Sequence, residues 1–108
     1  MDANKYQFLA YRTANQELSK LDQLRNAAYG LNGEAGEVID LLKKYEFQGH
    51  DLDYNLVVKE LGDIAWYLAL ACTALGMSMS EMLERNIAKL KERYPDGFDA
   101  DKSINRKE

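Results

Sequence analysis

Glu60-Leu61-Gly62-Asp63-Ile64-Ala65-Trp66-Tyr67-Leu68-Ala69 lies within the most apolar segment of this chain and carries two carboxylates three residues apart. On a helix, residues at that spacing project to one side, with Cβ atoms roughly 5–6 Å apart. Val57, Ile64 and Tyr67 share that sector, so the acids point towards the core. A second pair, in Glu34-Ala35-Gly36-Glu37, has the same company in Leu31, Val38 and Leu41. Taking a carboxylate out of water without a partner costs several kcal/mol, far more than like-charge repulsion on a solvated face. No Lys or Arg lies within or immediately beside either pair on its face. A hard divalent cation with oxygen ligands would meet the requirement.

Working outward, the apolar stretch predicts a central helix from about Tyr54 to Leu75, capped by Asp51 or Asp53 and stopped near Gly76. Before it, apolar residues at helical spacing predict a helix over about 23–45, despite the interior glycines Gly30, Gly33 and Gly36. Each costs roughly 1 kcal/mol relative to alanine, so close helix packing or ligand access at the first acidic pair must compensate. An earlier helix is expected from Asn4, acting as its cap, through Gln16 or beyond. Ser78-Met79-Ser80-Glu81 fits a capping box. A fourth helix then runs to Arg93 with Met79, Met82, Leu83, Ile87 and Leu90 inward. Tyr94-Pro95-Asp96-Gly97-Phe98 is a stop-and-turn signal. Period-2 alternation is absent, so the reading is all-α and four-helix-bundle-like, with a helical domain over 1–98 and a polar C-terminal tail over 99–108.

Composition narrows the function. A chain of 108 residues makes one domain with a modest core, which wide apolar stripes on long helices often complete by self-association. Net charge of −4 argues against a nucleic-acid or anionic-membrane partner. The lone Cys72 offers no disulfide and reads as a small core residue. With one histidine, His50, there is no Glu-x-x-His pair for a di-iron bundle. The N-terminal residues lack the apolar region of a signal peptide, and the stretch from Ile64 to Met77 is too short to span a bilayer. A cytoplasmic protein is expected.

Four carboxylates from two consecutive helices would supply oxygen ligands suited to Mg²⁺ or Mn²⁺. On the fourth helix, Asn86, Lys89 and Arg93 recur at three and four residues, so Lys89 and Arg93 can meet the charge of a triphosphate. A satisfied core amide beside a snorkelling basic edge reads the same residues without chemistry.

Glu34-x-x-Glu37, Glu60-x-x-Asp63 within Glu60-Leu-Gly-Asp-Ile-Ala-Trp-Tyr-Leu-Ala, and Asn86-Ile-Ala-Lys89-Leu-Lys-Glu-Arg93-Tyr-Pro-Asp-Gly-Phe together resemble the MazG-like all-α nucleoside triphosphate pyrophosphohydrolases, over roughly residues 30–98. The resemblance implies Mg²⁺-dependent hydrolysis of a (d)NTP to the monophosphate and pyrophosphate, in a nucleotide-pool house-cleaning role. It implies Glu34, Glu37, Glu60 and Asp63 as metal ligands, with Glu37 holding or deprotonating the attacking water. Tyr67, Asn86, Lys89 and Arg93 would contact the nucleotide. Gly33 stands where some members carry a further glutamate. With one copy of the domain, the chain is similar to short bacterial and phage members that associate as homodimers or homotetramers. Two other readings remain: a non-catalytic helical interaction module, and a hydrolase of another pyrophosphate-linked nucleotide.

Overall fold

The computed structural model describes residues 1–106, which form five helices and no β-strand: α1 (Ala3–Tyr11), α2 (Lys20–Phe47), α3 (Tyr54–Ala74), α4 (Met79–Arg93) and α5 (Ala100–Ile104). The protein is all-α. The interior glycines do not break α2, whose 28 residues run about 42 Å. Its neighbour α3 lies antiparallel to it, with Gly30 against Tyr67 and Glu34 against Glu60 and Asp63.

α1 is shorter than its apolar pattern suggests and ends at Tyr11 rather than Gln16. Asp2, not Asn4, caps it, accepting from the Lys5 amide at 2.8 Å. Asn4 caps a different helix. Its side-chain oxygen accepts from the Ser80 amide at 3.0 Å, while Gln7 accepts from the Met79 amide at 2.8 Å. The first amides of a helix have no partner within it, and here the side chains of α1 supply what α4 lacks. Ser78 accepts from the Glu81 amide as expected, but the Glu81 carboxylate turns to Arg85 at 2.9 Å instead of reaching back.

Between α3 and α4 the direction changes by 99°. Gly76 makes this turn at φ +70°, while the Met77 amide donates to Cys72 and the Gly76 amide to Thr73. That pair of bonds is a Schellman ending, which needs a left-handed residue at this position. As a result α4 packs on α1 and α3 and makes no comparable contact with α2.

The core is small. Ala27, Ala69, Leu70, Cys72, Ala74 and Met79 are its buried apolar residues, and no large side chain among the described residues is fully buried. Gln23 is the buried polar residue, donating to the Leu18 carbonyl and accepting from the Tyr11 hydroxyl. Apolar faces on α2, α3 and α4 stay uncovered: Ile39 and Val58 are each 65% exposed and Ile87 52%. The inward stripe expected on α4 is therefore buried only at its start, at Met79 and in part Met82, while Leu83, Ile87 and Leu90 face outward. The radius of gyration, 16.9 Å, exceeds the roughly 13 Å of a compact domain this long. Among the described residues no single helix is long and apolar enough to cross a membrane.

Candidate active site

The α2–α3 pairing brings three of the four predicted acids together. Carboxylate oxygens of Glu34, Glu60 and Asp63 all lie within 4.8 Å of one another, with Glu34 and Glu60 half-buried and Asp63 exposed. Glu37, one turn beyond Glu34, is exposed and outside this group, although its charge still acts on Glu34. The expectation that both acids of each pair turn inward holds for one member of each. Among the described residues no ion pair joins a cation to any of the four; the pairs that form are local to α2 and α4.

The Glu34 carboxyl is held above its ordinary 4.5, first by the facing Glu60 carboxyl, with which its protonated form can share a proton, then by lost hydration and the charges of Glu60, Asp63 and Glu37. The folded chain thus binds this proton more tightly than the unfolded chain does. Below the unfolded value both states are protonated and Glu34 has no effect on stability. As pH rises through the raised value, ionisation sets like charges against each other and stability falls. In EDTA, Glu34→Gln is expected to melt progressively higher than wild type as pH rises above about 4.5. A melting difference independent of pH would exclude the shared proton.

The donor set fits a small hard cation. Octahedral Mg²⁺ places oxygens about 2.1 Å from the metal, hence about 3 Å apart when adjacent and about 4 Å when opposite. Small rotations of three all-oxygen side chains within 4.8 Å reach those spacings. One turn away, the Tyr67 ring lies directly on Gly30 and meets the Trp66 ring edge-on, with centroids 5.0 Å apart. Trp66 also fastens α1, its indole N–H donating to the Ala10 carbonyl at 3.1 Å and the Thr13 hydroxyl at 2.8 Å. α1 approaches the acids as well: the Tyr6 hydroxyl is pushed above its ordinary pKa, first by burial and then by the Asp63 charge.

The predicted basic residues lie elsewhere. Asn86 and Lys89 are exposed and Arg93 is half-buried. Lys89 and Arg93 line a cavity of about 660 Å³ between α4 and α5 whose walls include none of the four acids. α5 itself falls in the stretch read as a polar tail. Its signals are modest in sequence: Asp99 as a cap, and Lys102 and Arg106 four residues apart, matching the spacing of Lys89 and Arg93.

The MazG nucleotide pyrophosphohydrolase domain matches residues 23–98, which contain all eight predicted site residues. The chain is also 31% identical over 114 residues to the Gene 37 protein of Mycobacterium phage L5, covering 98% of this chain and all of that protein. No solved structure matches. The chain belongs to the MazG nucleotide pyrophosphohydrolase family.

Proposed function

We propose that this protein is a Mg²⁺-dependent nucleoside triphosphate pyrophosphohydrolase, cleaving a (d)NTP to the monophosphate and pyrophosphate. The observation that carries the reading is the gathering of Glu34, Glu60 and Asp63 from two helices, within the residues that match the family and with no ion pair to a cation among the described residues. These three would hold Mg²⁺, or Mn²⁺, which when bound supplies charge neutralisation and polarises the phosphoryl group. Glu37, outside the group but one turn from it, would orient or deprotonate the attacking water. Asn86, Lys89 and Arg93 bind the phosphates, and Tyr67 borders the nucleotide at the α2–α3 seam. Catalysis of this kind is mainly positioning and electrostatics.

The reading includes self-association as a homodimer or homotetramer. The acids lie at the α2–α3 pair and the basic cavity at the far end of α4, which turns 99° away from α3. Uncovered apolar faces on all three helices would bury against a second copy. Pairing of copies is what would bring the two halves to one substrate.

Product analysis tests the reaction. With Mg²⁺ and a panel of canonical, deoxy and damaged nucleoside triphosphates, one pyrophosphate should appear per monophosphate formed, and EDTA should abolish both. Failure to hydrolyse any member of the panel, or release of orthophosphate as first product, would reject the assignment. Absence of any Mg²⁺ effect on melting would then favour the non-catalytic interaction module.

A further inference from the structure

The direction of α4 is set by more than the turn that precedes it. α4 leaves α3 at 99° through the turn around Gly76, and beyond it rests on α1 as much as on α3. α1 carries the side chain that joins both sides of this turn. Gln7 is half-buried, and its Nε2 donates to the Thr73 hydroxyl at 3.1 Å and to the Met77 carbonyl at 2.9 Å. Its Oε1 accepts from the Met79 amide at 2.8 Å. Thr73 lies in the last turn of α3, Met77 in the connection and Met79 at the start of α4.

These partners call for a primary amide. A carbonyl only accepts and a backbone N–H only donates, so the group that meets both must present a donor and an acceptor side by side. Asn4, which accepts from the Ser80 amide at 3.0 Å, ties α1 to α4 alone. Gln7 ties α1 to both helices and to the residue between them. The rest of α1 is seated firmly: Ala3, Tyr6 and Ala10 pack on Ala69 and Cys72 of α3 and Met79 of α4, and the Trp66 indole holds Ala10 and Thr13. All of α1 precedes residue 23, where the match to the family begins.

We propose that Gln7 is a positioning residue for the substrate. It locks the α3–α4 turn and so sets the angle at which α4 presents Asn86, Lys89 and Arg93 towards a nucleotide held at the acids. This rests on the reading of those three residues as phosphate contacts. The acids belong to the α2–α3 pair, upstream of the turn. Freeing the turn should therefore leave the chemical step intact and lower the fraction of molecules whose α4 meets the substrate. Apparent affinity falls in proportion to that fraction.

The test compares wild type with Gln7→Ala, Gln7→Glu and Asn4→Ala by melting and by kcat and KM for the best nucleotide. Alongside, the distance between spin labels on the exposed positions Lys59→Cys of α3 and Lys91→Cys of α4 is measured in a Cys72→Ala background, diluted into unlabelled protein. Wild type should give one narrow distance. Gln7→Ala should broaden it and raise KM about tenfold, with kcat within about twofold of wild type. Gln7→Glu keeps an acceptor for the Met79 amide but sets a carboxylate against the Met77 carbonyl, so the same KM rise should appear with α4 still capped. Asn4→Ala removes one cap and leaves the turn tied; it should lower Tm and keep both KM and the narrow distance. Wild-type KM or an unbroadened distance in Gln7→Ala and Gln7→Glu would overturn the proposal, as would an equal KM rise in Asn4→Ala. A wild type that hydrolyses no nucleotide, with the distance still broadened by Gln7→Ala, would reject the hydrolase reading and leave Gln7 as the residue that sets the turn.

Discussion

Glu60→Gln is expected to lower kcat/KM for pyrophosphate release by about 10²–10³-fold while leaving the fold intact. Glutamine keeps the shape of the side chain and removes its charge. Glu60 faces Glu34 across the α2–α3 seam and lies three residues from Asp63, and the oxygens of all three lie within 4.8 Å of one another. Without it a cation would keep only Glu34 and Asp63 of the three ligands. Metal titration separates this from Glu37→Gln. In Glu60→Gln the activity should need far more Mg²⁺; in Glu37→Gln the metal dependence should stay near wild type while kcat falls, because Glu37 lies outside the group. Relieved of a like charge, metal-free Glu60→Gln should melt no lower than wild type. Wild-type turnover in Glu60→Gln would remove the acid group from the chemistry altogether.

Much of this was legible in sequence because it depends on local spacing. Glu60 and Asp63 three residues apart, Asp53 and Ser78 ahead of apolar runs, and Gly76 after one are statements about single helices, and α3 and α4 follow them closely. Residues whose role is set by a distant partner were not readable. Asn4 caps α4 across 76 residues, and Gln7 joins α1 to Thr73, Met77 and Met79 with three hydrogen bonds. Neither pairing leaves a periodic trace.

The same distinction explains the site. Periodicity places Leu83, Ile87 and Leu90 on an apolar stripe, but it does not say whether the stripe is covered by the same chain; the 99° turn at Gly76 leaves it uncovered. Likewise the spacing of Asn86, Lys89 and Arg93 defines a face and not the acids' position relative to it. α5 was hidden because five residues between a turn and the chain's polar end carry too little pattern to register.

The three glycines of α2 give the second large effect, because they look alike in sequence and differ in surroundings. A Cβ on Gly33 or Gly36 meets nothing within 4 Å, whereas one on Gly30 would overlap Cε1, Cζ and Cδ1 of the Tyr67 ring. Alanine in place of glycine inside a helix gains about 1 kcal/mol. Gly33→Ala should realise that gain. At Gly30 the overlap must be relieved by moving a ring already held edge-on by Trp66, and such overpacking costs about 1–3 kcal/mol. Gly30→Ala should therefore lose up to about 2 kcal/mol net, a fall in Tm of several degrees for a domain this size. In a Tyr67→Ala background the sign should reverse, with Gly30→Ala stabilising by up to about 1 kcal/mol. Thermal melts of the four proteins in that cycle decide it, and a stabilised Gly30→Ala single variant would mean that Tyr67 does not set the seam. Because Gly30–Tyr67 lies one helical turn from Glu34 on α2 and from Asp63 on α3, a seam forced open there also spreads the carboxylates. Gly30→Ala should then weaken Mg²⁺ binding although it touches no ligand, whereas Gly33→Ala, directly beside Glu34 in sequence, should not.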